Sequence, residues 1–214
     1  SGNHAQGIAY ASRELGTSAK IVMPSDAPKI KIRKTQEYGA EVIFYDRDED
    51  NREEIGFSIA KEEGRKLIKP FDDLNVIYGQ GTAALEVMDE VDTKFDMSVV
   101  CCSGGGLAAG TGIVLKNSLS DCQLYTAEPK DWNDHEKSFM QNNIVSIKTK
   151  KHGMCDALEN PQPGEITFRI NSALNTKGLS AGDKYIIEAM KIIYDEFDLI
   201  VEPSGAIGLA CILE

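Results

Sequence analysis

The sequence predicts an α/β protein built on two open, mainly parallel sheets with helices on both faces, and three observations carry that reading. Short apolar runs alternate with helix-length amphipathic patterns from Ala19 onward. A glycine stands just past several of the helical patterns, at Gly16, Gly39 and Gly64, where a chain leaving a helix favours a left-handed residue. The apolar run Val99-Val100-Cys101-Cys102 stops at Ser103-Gly104-Gly105-Gly106, and a small-residue helical pattern, Leu107-Ala108-Ala109-Gly110, follows at once.

Taken in order, residues 1 to 7 read as a loop opening a helix whose apolar face (Ala5, Ile8, Ala9, Ser12, Leu15) ends at Gly16. Ala19 to Met23 is a strand, Pro28 to Tyr38 a helix, Glu41 to Tyr45 a strand, Asn51 to Glu63 a helix and Lys66 to Ile68 a short strand. Pro70-Phe71-Asp72-Asp73 breaks the alternation. It is the expected crossing between a small domain, residues 1–72, and part of a larger domain, residues 73–214.

Val76 to Val91 is a helical pattern that Gly79-Gln80-Gly81-Thr82 should interrupt early. Met97 to Cys102 is the strand feeding the glycine loop, the helix after the loop runs to about Asn117, and Gln123 to Ala127 is a strand ending in Glu128-Pro129. Residues 129–180, rich in proline, glycine and asparagine, are expected to be irregular and to cover a site or a subunit interface. Asp183 to Glu196 is a helix with apolar Tyr185, Ile186, Ala189, Ile192 and Ile193; Leu199 to Val201 is a last strand, and Ser204-Gly205-Ala206 turns into a helix. Both ends fall inside an element or a connection, so the chain is expected to be a middle piece of a longer protein, truncated at both ends.

Composition narrows the function. The 214 residues are 42% hydrophobic, with no apolar run of membrane-spanning length and no secretory signal pattern at the start. Lysine and arginine number 23 against 34 aspartate and glutamate, a net charge of −11, and no basic block is present to neutralise a nucleic-acid backbone. The expected partners are therefore neither nucleic acid nor membrane. Cys101, Cys102, Cys122, Cys155 and Cys211 form no CxxC pair and sit mostly in apolar runs, which predicts free thiols in a reducing, cytoplasmic setting.

The glycine loop carries the strongest chemical signal. Amides unhindered by Cβ atoms, backed by the positive end of a helix, form a cradle for an anion. The stretch lacks the G-x-G-x-x-G spacing of a dinucleotide site and the Lys-Ser/Thr pair of a Walker loop, so it calls for one phosphate and not a pyrophosphate. A turn that only packs strand against helix is the alternative.

Ser1-Gly2-Asn3-His4-Ala5-Gln6-Gly7, Gly79-Gln80-Gly81-Thr82, Ser103 to Leu107, Ala127-Glu128-Pro129 and Val201-Glu202-Pro203-Ser204-Gly205 stand in an order and spacing that is informative as a set. Together they resemble the threonine/serine dehydratase and serine racemase branch of the fold-type II pyridoxal phosphate enzymes, whose fold is like that of the tryptophan synthase β chain. The resemblance implies that Ser103, Gly104, Gly105, Gly106 and Leu107 hold the phosphate of pyridoxal 5'-phosphate and that Asn3 bonds the ring hydroxyl. It places Glu202 beside the ring. It also implies that Ser1, Asn3 and His4 receive the substrate carboxylate, with Ser1 moving a proton at the substrate α-carbon in racemase members. Glu128 and Asp134, with the carbonyl of Trp132, match a magnesium or calcium site. The alternatives read from the residues alone are an N-cap for Ser1, a helix-start residue for His4, a solvent-facing acid for Glu202 and an acidic surface loop for Glu128 and Asp134.

The activity implied is a PLP-dependent ammonia-lyase reaction: dehydration and deamination of threonine or serine to a 2-oxo acid and ammonia, by a homodimer or larger oligomer. Serine racemisation and 3-hydroxyaspartate dehydration are alternatives within the family; a non-catalytic phosphometabolite-binding domain is the alternative outside it. Two departures stand out. Cys155-Asp156-Ala157-Leu158 has Ala157 where the family commonly has glycine. The lysine that forms the Schiff base lies upstream of the Ser-Gly-Asn-His loop in the family, so the 214-residue chain alone is expected to be inactive.

Overall fold

The structure, a computed structural model, describes every residue except Ser1, Asp48, Ser120 and Lys150. It divides into two compact units, Ser1–Ile68 and Lys69–Glu214.

The first unit runs α1 (Gly2–Glu14), β1 (Lys20–Pro24), α2 (Lys29–Glu37), β2 (Glu41–Tyr45) and α3 (Arg52–Glu63). β1 and β2 pair in parallel from Lys20↔Glu41 to Pro24↔Tyr45. Ala5, Ala9, Ile21, Met23, Ala27 and Ala40 form its core. The side chain of Asn51 caps α3 by accepting from the amides of Glu53 and Glu54, and Gly64 closes the helix at φ 64°. Two expectations fail here. Helix α1 is already formed at Gly2, so Asn3 and His4 sit in its first turn and not in a loop, and Leu15 lies beyond its end, 79% exposed. Residues 66–68 form no strand, because an extended segment becomes one only through a ladder, and no described strand pairs with them.

The second unit runs α4 (Leu74–Glu90), β3 (Met97–Cys101), α5 (Gly106–Ser118), β4 (Gln123–Pro129), α6 (Asp134–Gln141), α7 (Glu165–Ala173), β5 (Lys177–Ala181), α8 (Asp183–Phe197) and α9 (Pro203–Leu213). Its sheet has the order β3-β4-β5, all parallel. Ile186 and Ala189 of α8 and Ala206, Ile207 and Ala210 of α9 pack on Ala127 and Ala181 of the strands.

Helix α4 is not interrupted at Gly79 to Thr82. Gly81 serves close packing: a Cβ on Gly110 of α5 would lie 2.4 Å from the Ile77 carbonyl oxygen and 2.6 Å from the Gly81 nitrogen, so both glycines are needed for the two helix backbones to touch. Residues 129–180 are more regular than expected, since α6, α7 and β5 fall among them. Leu199 to Val201 is not a strand; Ile200 is 91% exposed and no described strand runs beside it. Among the described residues, no helix is long and apolar enough to cross a membrane. All five cysteines are free, and burial pushes the thiols of Cys155 and Cys211 up to about 12, which leaves them as weakly reactive packing groups.

Candidate functional site

The chemistry of the second unit gathers at the C-terminal ends of β3 and β4, where ligands of open parallel sheets bind. The Cys102 amide donates to the Ala127 carbonyl at 2.9 Å, Ser103 and Gly104 turn the chain, and α5 starts at Gly106. Gly105 has φ +93° and offers α5 no side-chain cap. The first-turn amides of α5 therefore meet no acceptor within the helix and carry its positive end.

The loop's carbonyls face the other way and are held there. Gly104 O accepts from Thr167 Oγ1 at 2.6 Å and from the Gly164 amide at 3.3 Å, and Gly105 O accepts from Asn171 Nδ2 at 3.2 Å. In a trans peptide the N–H points opposite to the C=O, so tying these carbonyls to α7 turns the amides of Gly105 and Gly106 away from it. Asp72 anchors α7 in turn, its Oδ1 accepting from the amides of Ile166 at 2.8 Å and Thr167 at 3.2 Å. The Phe71 ring lies against the loop, and a Cβ on Gly104 would come within 2.2 Å of it. The result is a rigid cradle of donors, the form a single phosphate group fits.

Next to it is a pair of buried carboxylates. Glu128 on β4 and Asp134 at the start of α6 are both fully buried. Glu128 accepts the His135 amide at 2.9 Å on Oε1 and the Glu136 amide at 2.8 Å on Oε2, so it caps α6 from a neighbouring strand. Neither oxygen of Asp134 makes a well-formed hydrogen bond among the described residues, and its polar neighbour is the Glu128 carboxyl. Burial, and after it the charge of Asp134, hold Glu128 well above the usual carboxylate range, and burial pushes Asp134 up to about 8. Two dry carboxylates side by side, one of them held by backbone amides, fit a hard cation. Among the described residues no group of three or more His, Cys, Asp or Glu side chains is arranged for a metal. Trp132 is buried in the 3-10 turn 130–132, its indole N–H donating to the Lys151 carbonyl at 3.0 Å.

His135 links the two features. Its ring is fully buried, and a Cβ on Gly105 would lie 2.6 Å from its Cε1 and 3.0 Å from its Nε2. Burial lowers its pKa to about 4, so the imidazole is neutral near pH 7. Glu202 is half-buried at the N-cap of α9, not at a strand end. Burial, and to a lesser degree the charge of Glu202, raise the thiol of Cys101 at the end of β3.

Ser103 to Leu107, Glu128, Trp132, Asp134 and Glu202 thus all lie in the second unit. Asn3 and His4 lie in the first, on α1, where His4 Nε2 is 3.4 Å from the Ile68 carbonyl and burial lowers its pKa. Gly2 beside them is required, since a Cβ there would fall 2.4 Å from Cδ of the buried Lys31. Ser1 lies outside the described residues. Asp72, His135, Thr167 and Asn171 belong to the site although sequence reading does not single them out. Of the four, only Asp72 falls in a segment with a signal of its own, and that signal is a chain break.

An open parallel sheet whose glycine loop has tied-back carbonyls and leads into a helix start without a side-chain cap is an α/β architecture suited to holding an anion. The chain belongs to the pyridoxal-phosphate dependent enzyme family, which matches residues 1–214. It is 41% identical over 212 residues to the L-threo-3-hydroxyaspartate ammonia-lyase of Pseudomonas sp, covering 99% of this chain and 66% of that protein. It is 39% identical over 210 residues to the serine racemase of Schizosaccharomyces pombe, covering 98% of this chain and 64% of that protein. The processed form of threonine deaminase isoform 2 from Solanum lycopersicum superposes with a TM-score of 0.89 at 31% identity, covering 97% of this chain and 60% of the other. The chain spans about two thirds of the length of the curated relatives it matches.

Proposed function

We propose that this chain is the cofactor-holding part of an ammonia-lyase that converts a β-hydroxy amino acid, threonine or serine, to a 2-oxo acid and ammonia. The observation that carries the reading is the glycine loop: Thr167 and Asn171 hold its carbonyls, which turns the amides of Gly105 and Gly106 away from α7. When bound there, pyridoxal phosphate supplies the electron sink for loss of the substrate α-proton.

In this reading the amides of Ser103 to Leu107 bind the phosphate, Asn3 orients the ring through its hydroxyl and Glu202 lines the ring's edge. Ser1, Asn3 and His4 take the substrate carboxylate, and Ser1 handles a proton at the α-carbon. Glu128, Asp134 and the Trp132 carbonyl hold a magnesium or calcium ion. Residues 1–72 are taken as a small domain and 73–214 as part of a larger one; the parent works as a homodimer or larger oligomer in the cytoplasm on a small amino-acid substrate.

A second substrate is favoured by one observation. A relative at 41% identity is an L-threo-3-hydroxyaspartate ammonia-lyase, which makes 3-hydroxyaspartate the first alternative, ahead of serine racemisation. The test is to assay the protein from its complete reading frame with serine, threonine and 3-hydroxyaspartate, following 2-oxo acid and ammonia. Equimolar release of both from serine or threonine is expected. Release from 3-hydroxyaspartate alone would move the assignment to the second substrate, and release from none would overturn the lyase reading.

A further inference from the structure

We propose that His135 is a positioning residue that couples the cation site to the phosphate cradle. The inference rests on the assignment of those two sites above and concerns how one acts on the other.

The connection is short and continuous. His135 directly follows Asp134, and its own amide is held by Glu128 at 2.9 Å, so the two carboxylates that would close on a cation grip the backbone carrying the imidazole. The ring itself reaches the loop, meeting Gly105 where a Cβ would stand. On its other side it contacts Phe139, centroid to centroid 5.6 Å, and Phe139 stacks on Phe168 of α7 at 5.9 Å. Helix α7 is the element that holds the loop carbonyls through Thr167 and Asn171. The imidazole is therefore wedged between α6, the glycine loop and the helix that fixes the loop.

Both ring nitrogens are buried and neither makes a well-formed hydrogen bond among the described residues, a state that native structures seldom leave unused. The carbonyls of Ser103 and Gly104 lie beside the ring. Gly104 O already accepts from Thr167 and Gly164, whereas Ser103 O takes a weak thiol contact from Cys102 at 3.8 Å, which makes Ser103 O the acceptor available to the ring. A cation drawn between Glu128 and Asp134 fixes the first turn of α6. The imidazole N–H then closes on Ser103 O, and the Gly104 amide on the far side of that peptide plane is turned into the cradle. Coupling of this kind is reciprocal: the cation tightens phosphate binding and phosphate tightens cation binding by the same factor.

The experiment measures inorganic phosphate binding by calorimetry with and without saturating MgCl2, and Mg²⁺ binding on its own, in the wild type and His135→Phe. Phenylalanine keeps a ring in the wedge and removes the N–H. In the wild type, Mg²⁺ should lower the phosphate dissociation constant by about fivefold or more; in His135→Phe both ligands should still bind, with phosphate affinity unchanged by Mg²⁺. As a readout that does not depend on the variant folding, ¹⁵N-histidine NMR of the wild type should show one ring N–H becoming protected from exchange when Mg²⁺ and phosphate are both present. Mg²⁺ binding with no effect on phosphate in the wild type, a full Mg²⁺ effect in His135→Phe, or a ring N–H that stays in fast exchange would each overturn the coupling while leaving the two sites standing. Absence of any Mg²⁺ binding would overturn the cation site and the coupling together.

Discussion

The hydroxyl of Thr167 donates to the carbonyl of Gly104 at 2.6 Å, across a sequence separation of 63 residues, and so decides which way the glycine loop presents its amides. Thr167→Val keeps the shape and removes the donor. Phosphate binding, measured by calorimetry, should weaken by roughly fivefold, the equivalent of a hydrogen bond worth about 1 kcal/mol. Unchanged affinity would mean that packing alone orients the loop.

Gly105→Ala should damage both stability and binding. The position has φ +93°, and the new methyl would press on the His135 ring at 2.6 Å. Backbone strain and overpacking of this kind cost on the order of 1–3 kcal/mol each, so a clear drop in the urea midpoint is expected, together with loss of phosphate binding. A wild-type midpoint would show that the loop relaxes around the methyl.

Asp134→Asn separates the cation from the fold. Asp134 is a fully buried acid beside a second buried acid, so the neutral amide should raise the melting temperature of the cation-free protein. The same change should abolish the heat of Mg²⁺ binding seen with the wild type. Equal Mg²⁺ heats in the two proteins would remove Asp134 from the site.

The pH dependence of the first unit should carry the mark of His4. Burial lowers its folded pKa, whereas in the unfolded chain it titrates at its ordinary value of about 6.5. Below that value the unfolded chain takes up a proton that the folded one resists, so stability falls as pH drops through 6.5 toward the lowered folded value and is insensitive to this group above it. Melting curves from about pH 7.5 to about pH 5 should therefore decline less steeply in His4→Gln. Parallel declines would assign the dependence to other groups.

Much of this protein is legible without coordinates, because the signals are local. A strand running into a serine and three glycines, and a glycine after α3, act within a few residues of themselves, through Cβ sterics that any fold must respect. Those signals determined the parallel α/β class, the glycine loop and the family motifs. Where they fail, a distant partner is the cause. Gly79 to Thr82 has the composition of a break and is continuous helix, because Gly81 is small for the sake of Gly110. Leu199 to Val201 has the composition of a strand and has no described ladder partner.

Only the tertiary structure decided that Asp72 anchors α7, that Thr167 and Asn171 of α7 turn the loop, that Glu128 caps α6, and that His135 stands between the acids and the glycines. None of these has a pattern along the chain. A hydrogen bond or a buried charge across tens of residues is set by which surfaces meet when strands and helices pack, and spacing in the sequence leaves no record of that meeting.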